Sequence, residues 1–214
     1  MFYGVVHEGY IFDSKDIKYQ VEEFEQGKVK TLFITGQSGS GKTTIGRKYQ
    51  EQLKIPCYEL DDLDFNGNFS DDNLKEYGKE MYEFFQGPGK KYRLSDSSNN
   101  LADKLMDASI DFIKFILSRN ARCIVEGVEI YYAIGMKKIN IDAFKNCSVI
   151  IKGTSAIKSS IRAVKRNYEN DKKANPDIKL KDSTSFGEFI SRIKESLKDE
   201  SLLKKLREKY KKEG

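Results

Sequence analysis

The chain has 214 residues, 33% charged and 38% hydrophobic, with 38 Lys plus Arg against 33 Asp plus Glu and a formal net charge of +5. That length supports one domain with a sizeable core, with or without appendages. The mild positive balance suits anionic ligands without requiring nucleic acid, and the chain shows neither a membrane-spanning apolar run nor a signal peptide's basic start and apolar stretch.

The first thirty residues carry weak signals. "MFYGVVHEGYIF" (1–12) predicts a short strand or hairpin around Gly4 and Gly9, and a charged, helix-compatible stretch runs on to Gln26. His7 has no acid–base partner nearby and is read as structural or exposed. From residue 31 a rhythm sets in. The β-rich apolar runs "TLFIT" (31–35), "IPCYEL" (55–60), "ARCIVEG" (121–127) and "CSVIIKG" (147–153) suit buried parallel strands. Helical spacing predicts a helix over 43–53. It predicts another over 71–86 through Leu74, Tyr77, Met81, Phe84 and Phe85, and a third over 101–119 through Leu105, Ala108, Phe112, Phe115 and Ile116. Between the last two, "QGPGKKYRLSDSSNN" (86–100) reads as a loop.

A basic helix is predicted over 155–167, followed by a mobile connection over 170–182. Ser185 and Glu188 have capping-box spacing and open an amphipathic helix with Ile190, Ile193 and Leu197. A further helix carries Leu203, Leu206 and Tyr210. No fifth strand is visible after residue 154. Alternating strands and helices predict an α/β fold, a three-layer α/β/α arrangement around a mostly parallel sheet with right-handed crossovers. Cys57, Cys123 and Cys147 lack metal-ligand spacing and sit in or beside apolar runs. They read as reduced, packed side chains of a cytoplasmic protein.

The strongest chemical signal is Gly36-Gln37-Ser38-Gly39-Ser40-Gly41-Lys42-Thr43, which satisfies G-x-x-x-x-G-K-[ST], with Thr44 behind it. Gly36, Gly39 and Gly41 allow backbone conformations in which successive N–H groups converge on phosphate oxygens. The helix that follows adds its positive end. Lys42 supplies a point charge to the β- and γ-phosphates, and the Thr43 hydroxyl can ligate Mg²⁺. The flanking strand and helix are the context that such a loop requires.

Ligands of open α/β sheets bind beyond the carboxyl ends of the strands. Asp61, Asp62 and Asp64 follow the second predicted strand, and Glu126-Gly127 ends the third. Phosphoryl transfer to a hydroxyl needs a carboxylate to orient the acceptor and take its proton, and an acid to hold Mg²⁺. Asp61 or Asp62 suits the first task and Glu126 the second. The bland alternatives are a capped turn for the Asp cluster and an exposed strand-end acid for Glu126. Arg162 and Arg166, four apart on the basic helix with Lys158 on the same stripe, can neutralise charge on a transferred phosphoryl group. The alternative there is a solvated basic face. Lys90, Lys91 and Arg93 either hold an anionic acceptor or belong to a solvated loop.

In this chain order, the phosphate loop, "ELDDLDF", "IVEGV" and the Arg-x-x-x-Arg helix resemble the P-loop kinases of nucleosides, nucleotides and small metabolites. "IVEGV" is similar to the strand end of uridine-kinase-like enzymes. "ELDDLDF" is similar to the acceptor-binding acids of nucleoside, gluconate and shikimate kinases and of zeta-toxin-like kinases. The whole chain also resembles small P-loop proteins of low-G+C bacteria and their phages.

The resemblance spans roughly residues 30 to 170 and implies a P-loop NTPase fold with five parallel strands ordered 2-3-1-4-5. It implies that 1–30 is an extension and that 31–170 is the kinase core. Within that core lie an acceptor-binding insertion over 70–120 and a lid-like helix over 155–170, and 171–214 forms a C-terminal helical segment. It further implies Lys42, Asp61, Arg162 and Arg166 as catalytic residues, 36–44 as the nucleotide loop, and Thr43 with Glu126 at Mg²⁺. Asp61, Asp62, Asp64 and Arg93 then face the acceptor.

The expected function is ATP-dependent transfer to the hydroxyl of a nucleoside, nucleotide or sugar-like metabolite, with GTP left open as donor. The last strand and adenine loop of the family are not found. Either the N-terminal segment fills the sheet edge or the base is held differently. Two alternatives stand: a polynucleotide or toxin-like kinase with a larger acceptor, which scattered basic residues do not favour, and an ATPase or switch module.

Overall fold

The computed structural model describes residues 2–7, 10–12, 17–63, 78–93, 101–152, 156–177, 179, 187–195, 197–198 and 201. At the N-terminus, β1 (Phe2–His7) and β2 (Tyr10–Phe12) form the expected antiparallel hairpin, paired from Val5↔Phe12 to His7↔Tyr10. Helix α1 (Ile17–Glu25) leads to β3 (Thr31–Gly36), α2 (Lys42–Leu53) and β4 (Cys57–Glu59). Helices α3 (Lys79–Gln86), α4 (Lys90–Arg93) and α5 (Leu101–Arg119) precede β5 (Cys123–Glu126). Then come α6 (Glu129–Gly135), β6 (Cys147–Lys152) and α7 (Ala156–Ala174), and 187–195 is helical.

Among the described residues, six strands form one sheet in the order β2-β1-β6-β3-β5-β4. Strands β4, β5, β3 and β6 are parallel and take the first four places of the order 2-3-1-4-5. The next place differs from the expected parallel strand. It is filled by β1, which runs antiparallel to β6 with Val5↔Ile150 in register. Five of the six β6 residues are buried, so its outer backbone edge needs hydrogen-bond partners, and the N-terminal segment supplies them.

Side chains alternate across the sheet to build two cores. Leu32, Ile34, Ile124 and Ile150 face α1 and α2, where Val21 and Phe24 are buried. Phe33, Val125, Val149 and Ile151 face the opposite way, into a larger core with Phe84, Phe85, Phe112, Ile113, Ile116 and Tyr131 from α3, α5 and α6. The result is a three-layer α/β architecture with a mostly parallel sheet.

Some elements depart from expectation. Residues 128–146, which carry no periodic signal, form α6 and a 3-10 turn at Ile141–Phe144. Within 86–100, α4 forms after a Gly87–Gly89 turn closed by Gly89 N–H donating to Phe84 O at 2.8 Å. Helix α7 continues to Ala174, into the stretch expected to be a mobile connection, and ends just before Pro176. Of the helix expected over 71–86, residues 71–77, with Leu74 and Tyr77, lie outside the described residues. So do Ser185, Leu203, Leu206 and Tyr210.

Candidate functional site

The phosphate loop leaves the buried strand β3 and enters α2 within five residues. Gly36, Gly39 and Gly41 have φ values of 132°, 70° and 87°, all in the region that disfavours a Cβ. At Gly36 space also forbids one, because a Cβ would collide with the Lys152 carbonyl of the neighbouring strand. Gly41 caps α2 with no side-chain hydrogen bond, so the helix end faces the loop.

A cavity of about 460 Å³ lies over this loop. It is lined by residues 38–44 of the loop, by Asp61 after β4, by Lys152 at the end of β6, and by Arg162, Ala163 and Arg166 of α7. The strand-end rule explains the gathering. The parallel strands β3, β4 and β6 all deliver their carboxyl ends to one side of the sheet.

Asp61 sits in a 3-10 turn, Leu60–Asp62, that buries Leu60 and Leu63 and leaves Asp61 exposed to the cavity. Lys42 is buried and donates to Gln37 O at 3.3 Å. Burial lowers its pKa, while the charges of Glu126, Asp61 and Glu129 oppose that shift and Arg166 adds to it. Arg162 Nη1 donates to Gly39 O at 3.0 Å, which sets α7 against the loop. Lys158, on the same helix, does not line the cavity.

Thr43 Oγ1 donates to Glu126 Oε1 at 2.6 Å. Burial raises the pKa of Glu126, against the pull of that hydrogen bond and of Lys42. Two buried oxygens here, Ser40 Oγ and Glu126 Oε2, have no hydrogen-bond partner among the described residues. Thr35 Oγ1 donates to Gly127 O at 2.8 Å and accepts from Tyr131 N–H at 3.3 Å, locking the ends of β3 and β5 to α6.

Two site residues lie beyond the sequence reading. Glu129, in the first turn of α6, is buried, and its carboxyl meets that of Asp61; burial first, then the Asp61 charge, pushes its pKa up to about 8. Lys152 lines the cavity and donates to Gly41 O at 3.3 Å. The strand-end rule that selects Glu126 would also have selected Lys152. Glu129 has a weaker signal, an acid three residues past a strand-end acid.

Asp64 lies outside the described residues, as do the side chains of Asp62 and Arg93. Lys91 Nζ and Tyr92 Oη both donate to Asp111 Oδ2, at 2.8 and 2.7 Å, an arrangement that ties α4 to α5. Burial pushes the thiols of Cys57 and Cys147 up to about 12 and that of Cys123 higher still, so all three stay protonated and weakly nucleophilic. Among the described residues, no helix is long and apolar enough to cross a membrane.

No protein-family model matches the chain, and no curated protein matches it as a relative. One solved structure, from work on the PezAT chromosomal toxin–antitoxin system of Streptococcus pneumoniae, is similar over 78% of this chain and 67% of that one. The identity is 17% and the TM-score 0.36. The case for chemistry rests on the cavity.

Proposed function

We propose that the protein is an ATP-dependent kinase that transfers a γ-phosphate to a hydroxyl of a small molecule, a nucleoside, nucleotide or sugar-like metabolite. One observation carries this reading: the Gly-rich loop, Lys42, Arg162, Arg166 and the exposed carboxylate of Asp61 all face a single cavity of about 460 Å³. A carboxylate beside a phosphate site repels the donor. Its use is to orient an acceptor hydroxyl and accept that hydroxyl's proton.

In this mechanism the N–H groups of 36–44 bind the phosphates of the donor, ATP or GTP, and Lys42 supplies charge to the β- and γ-groups. Asp61 aligns the acceptor oxygen and takes its proton as the new O–P bond forms and the bond to the nucleoside diphosphate breaks. Arg162 and Arg166 offset charge on the oxygens of the group in transit. Charge interactions are stronger where water is excluded, which favours the buried Lys42, whereas Arg162 and Arg166 are exposed side chains lining the cavity.

Thr43 and Glu126 fit a hard divalent cation such as Mg²⁺. Both offer oxygen donors, and Glu126 Oε2 is buried without a partner among the described residues. No three His, Cys, Asp or Glu side chains form a cation cage among the described residues, so the remaining ligands would be phosphate and water. Bound Mg²⁺ would supply neutralisation of charge on the β- and γ-phosphates.

The test is a γ-phosphate transfer screen. Protein and Mg²⁺ meet labelled ATP or GTP and a panel of nucleosides, nucleotides, sugars and oligonucleotides, with Lys42→Ala as control. A labelled small product lost in the variant supports the reading and identifies the acceptor. Label on oligonucleotides would shift it to a larger acceptor. Free phosphate alone, unchanged by any acceptor, would replace it with an ATPase or switch.

A further inference from the structure

We infer that Lys152 is a phosphate-binding residue that leaves the Gly41 carbonyl to hold the polyphosphate chain of a nucleoside triphosphate. The inference rests on the nucleotide reading of the cavity and adds a residue to it. Four basic side chains line that cavity, Lys42, Lys152, Arg162 and Arg166, against the one carboxylate of Asp61 among the described lining residues.

The position of Lys152 is fixed from both sides. Its backbone pairs with Gly36 of β3 and with Phe2 of the additional strand β1. Its ammonium reaches back over the loop to Gly41 O at 3.3 Å, and even a Cβ on Gly41 would lie 3.0 Å from Nζ. A glycine at 41 therefore leaves room for this side chain as well as for the turn.

A structural clip to Gly41 does not need such a setting. Burial lowers the pKa of Lys152, and so do the like charges of Arg162 and Lys42. Clustered cations repel one another until an anion arrives, and a polyphosphate reverses that repulsion for all of them together. The Gly41 carbonyl is a neutral acceptor, whereas a phosphate oxygen is itself charged and adds ion–ion attraction to the hydrogen bond from the ammonium. Gly41 also caps the helix whose positive end favours the same anion.

Binding decides the matter without knowledge of the acceptor. A fluorescent N-methylanthraniloyl-ATP probe is titrated, in excess Mg²⁺, into wild type, Lys152→Met, Lys152→Gln and Lys165→Met. Lys165, an exposed residue of α7 outside the cavity, controls for loss of one charge. The expected result is that both Lys152 variants weaken binding at least about tenfold and flatten its salt dependence, while Lys165→Met stays within about twofold. In the wild type, ATP should also slow acetylation of Lys152 about tenfold by mass spectrometry, a readout independent of any variant's folding. Wild-type binding with unchanged affinity in folded Lys152 variants, or no protection of Lys152, would overturn this inference alone. No nucleoside triphosphate binding by wild type would overturn the functional reading and this inference with it.

Discussion

Thr43 and Glu126, 83 residues apart in the chain, are joined by a 2.6 Å hydrogen bond from the threonine hydroxyl to Glu126 Oε1. The bond couples the first turn of α2 to the end of β5 and leaves the second carboxylate oxygen buried without a partner among the described residues. A buried carboxylate with one oxygen bonded and one idle is costly unless a cation or donor completes it.

Glu126→Gln keeps the shape and removes the charge. The variant is predicted to need about tenfold more Mg²⁺ for half-maximal nucleotide binding. The protein itself should be at least as stable as wild type near neutral pH, because a raised-pKa carboxylate has been removed. Mg²⁺ titrations of nucleotide binding with parallel melting curves check both. An unchanged Mg²⁺ requirement would remove Glu126 from the cation site.

Asp61 is exposed in the cavity, while the loop contacts lie with Lys42, Thr43 and Arg162. Asp61→Asn is therefore predicted to separate the two halves of the reaction. Transfer should fall by about a hundredfold or more, the usual range for loss of a general base. Nucleotide affinity should hold or rise slightly, because a negative charge near the phosphates is gone. Full transferase activity in this variant would refute the mechanism.

What the sequence revealed and what it hid follow from how local each signal is. The loop at 36–44 was legible because glycine positions, Lys42 and Thr43 are contiguous and each meets a local backbone or charge demand. The strands were legible for the same reason: β3, β5 and β6 are short apolar runs. Helix α6 was not, because Ile130, Tyr131, Ala133 and Ile134 bury nearly every side of it, and periodicity needs an exposed face to register. The place of β1 was open because its partner β6 lies some 145 positions away, and pairing at that range depends on tertiary context. Glu129 and Lys152 gain meaning only from what the fold brings beside them, Asp61 in one case and Gly41 in the other.

Phe84 of α3 is fully buried and forms edge contacts with Phe85 and Phe112 at centroid distances of 5.0 and 5.2 Å, with Phe115 at 5.6 Å. Its truncation opens a void between α3 and α5. Phe84→Ala is predicted to cost about 3–5 kcal/mol, as large core truncations do. Urea unfolding measures it. A loss under about 1 kcal/mol would mean that this aromatic cluster does not anchor α3 to the rest of the core.

Glu129 gives the protein a pH dependence that can be read without substrate. Burial and the Asp61 charge raise its pKa from 4.5 to about 8. Below the ordinary value both folded and unfolded chains hold the proton, and the fold bears no cost. As pH rises through the window between 4.5 and about 8, the unfolded chain releases the proton first, so Glu129 draws stability away from the fold. Glu129→Gln removes that titration while keeping a side chain of the same size. Its melting temperature should match or fall slightly below wild type near pH 4.5, the lower edge of the window. It should exceed wild type by several degrees near pH 8, an effect on the order of a few kcal/mol. Melting curves of both proteins across this range decide it. Parallel curves would mean that Glu129 does not titrate as a buried acid.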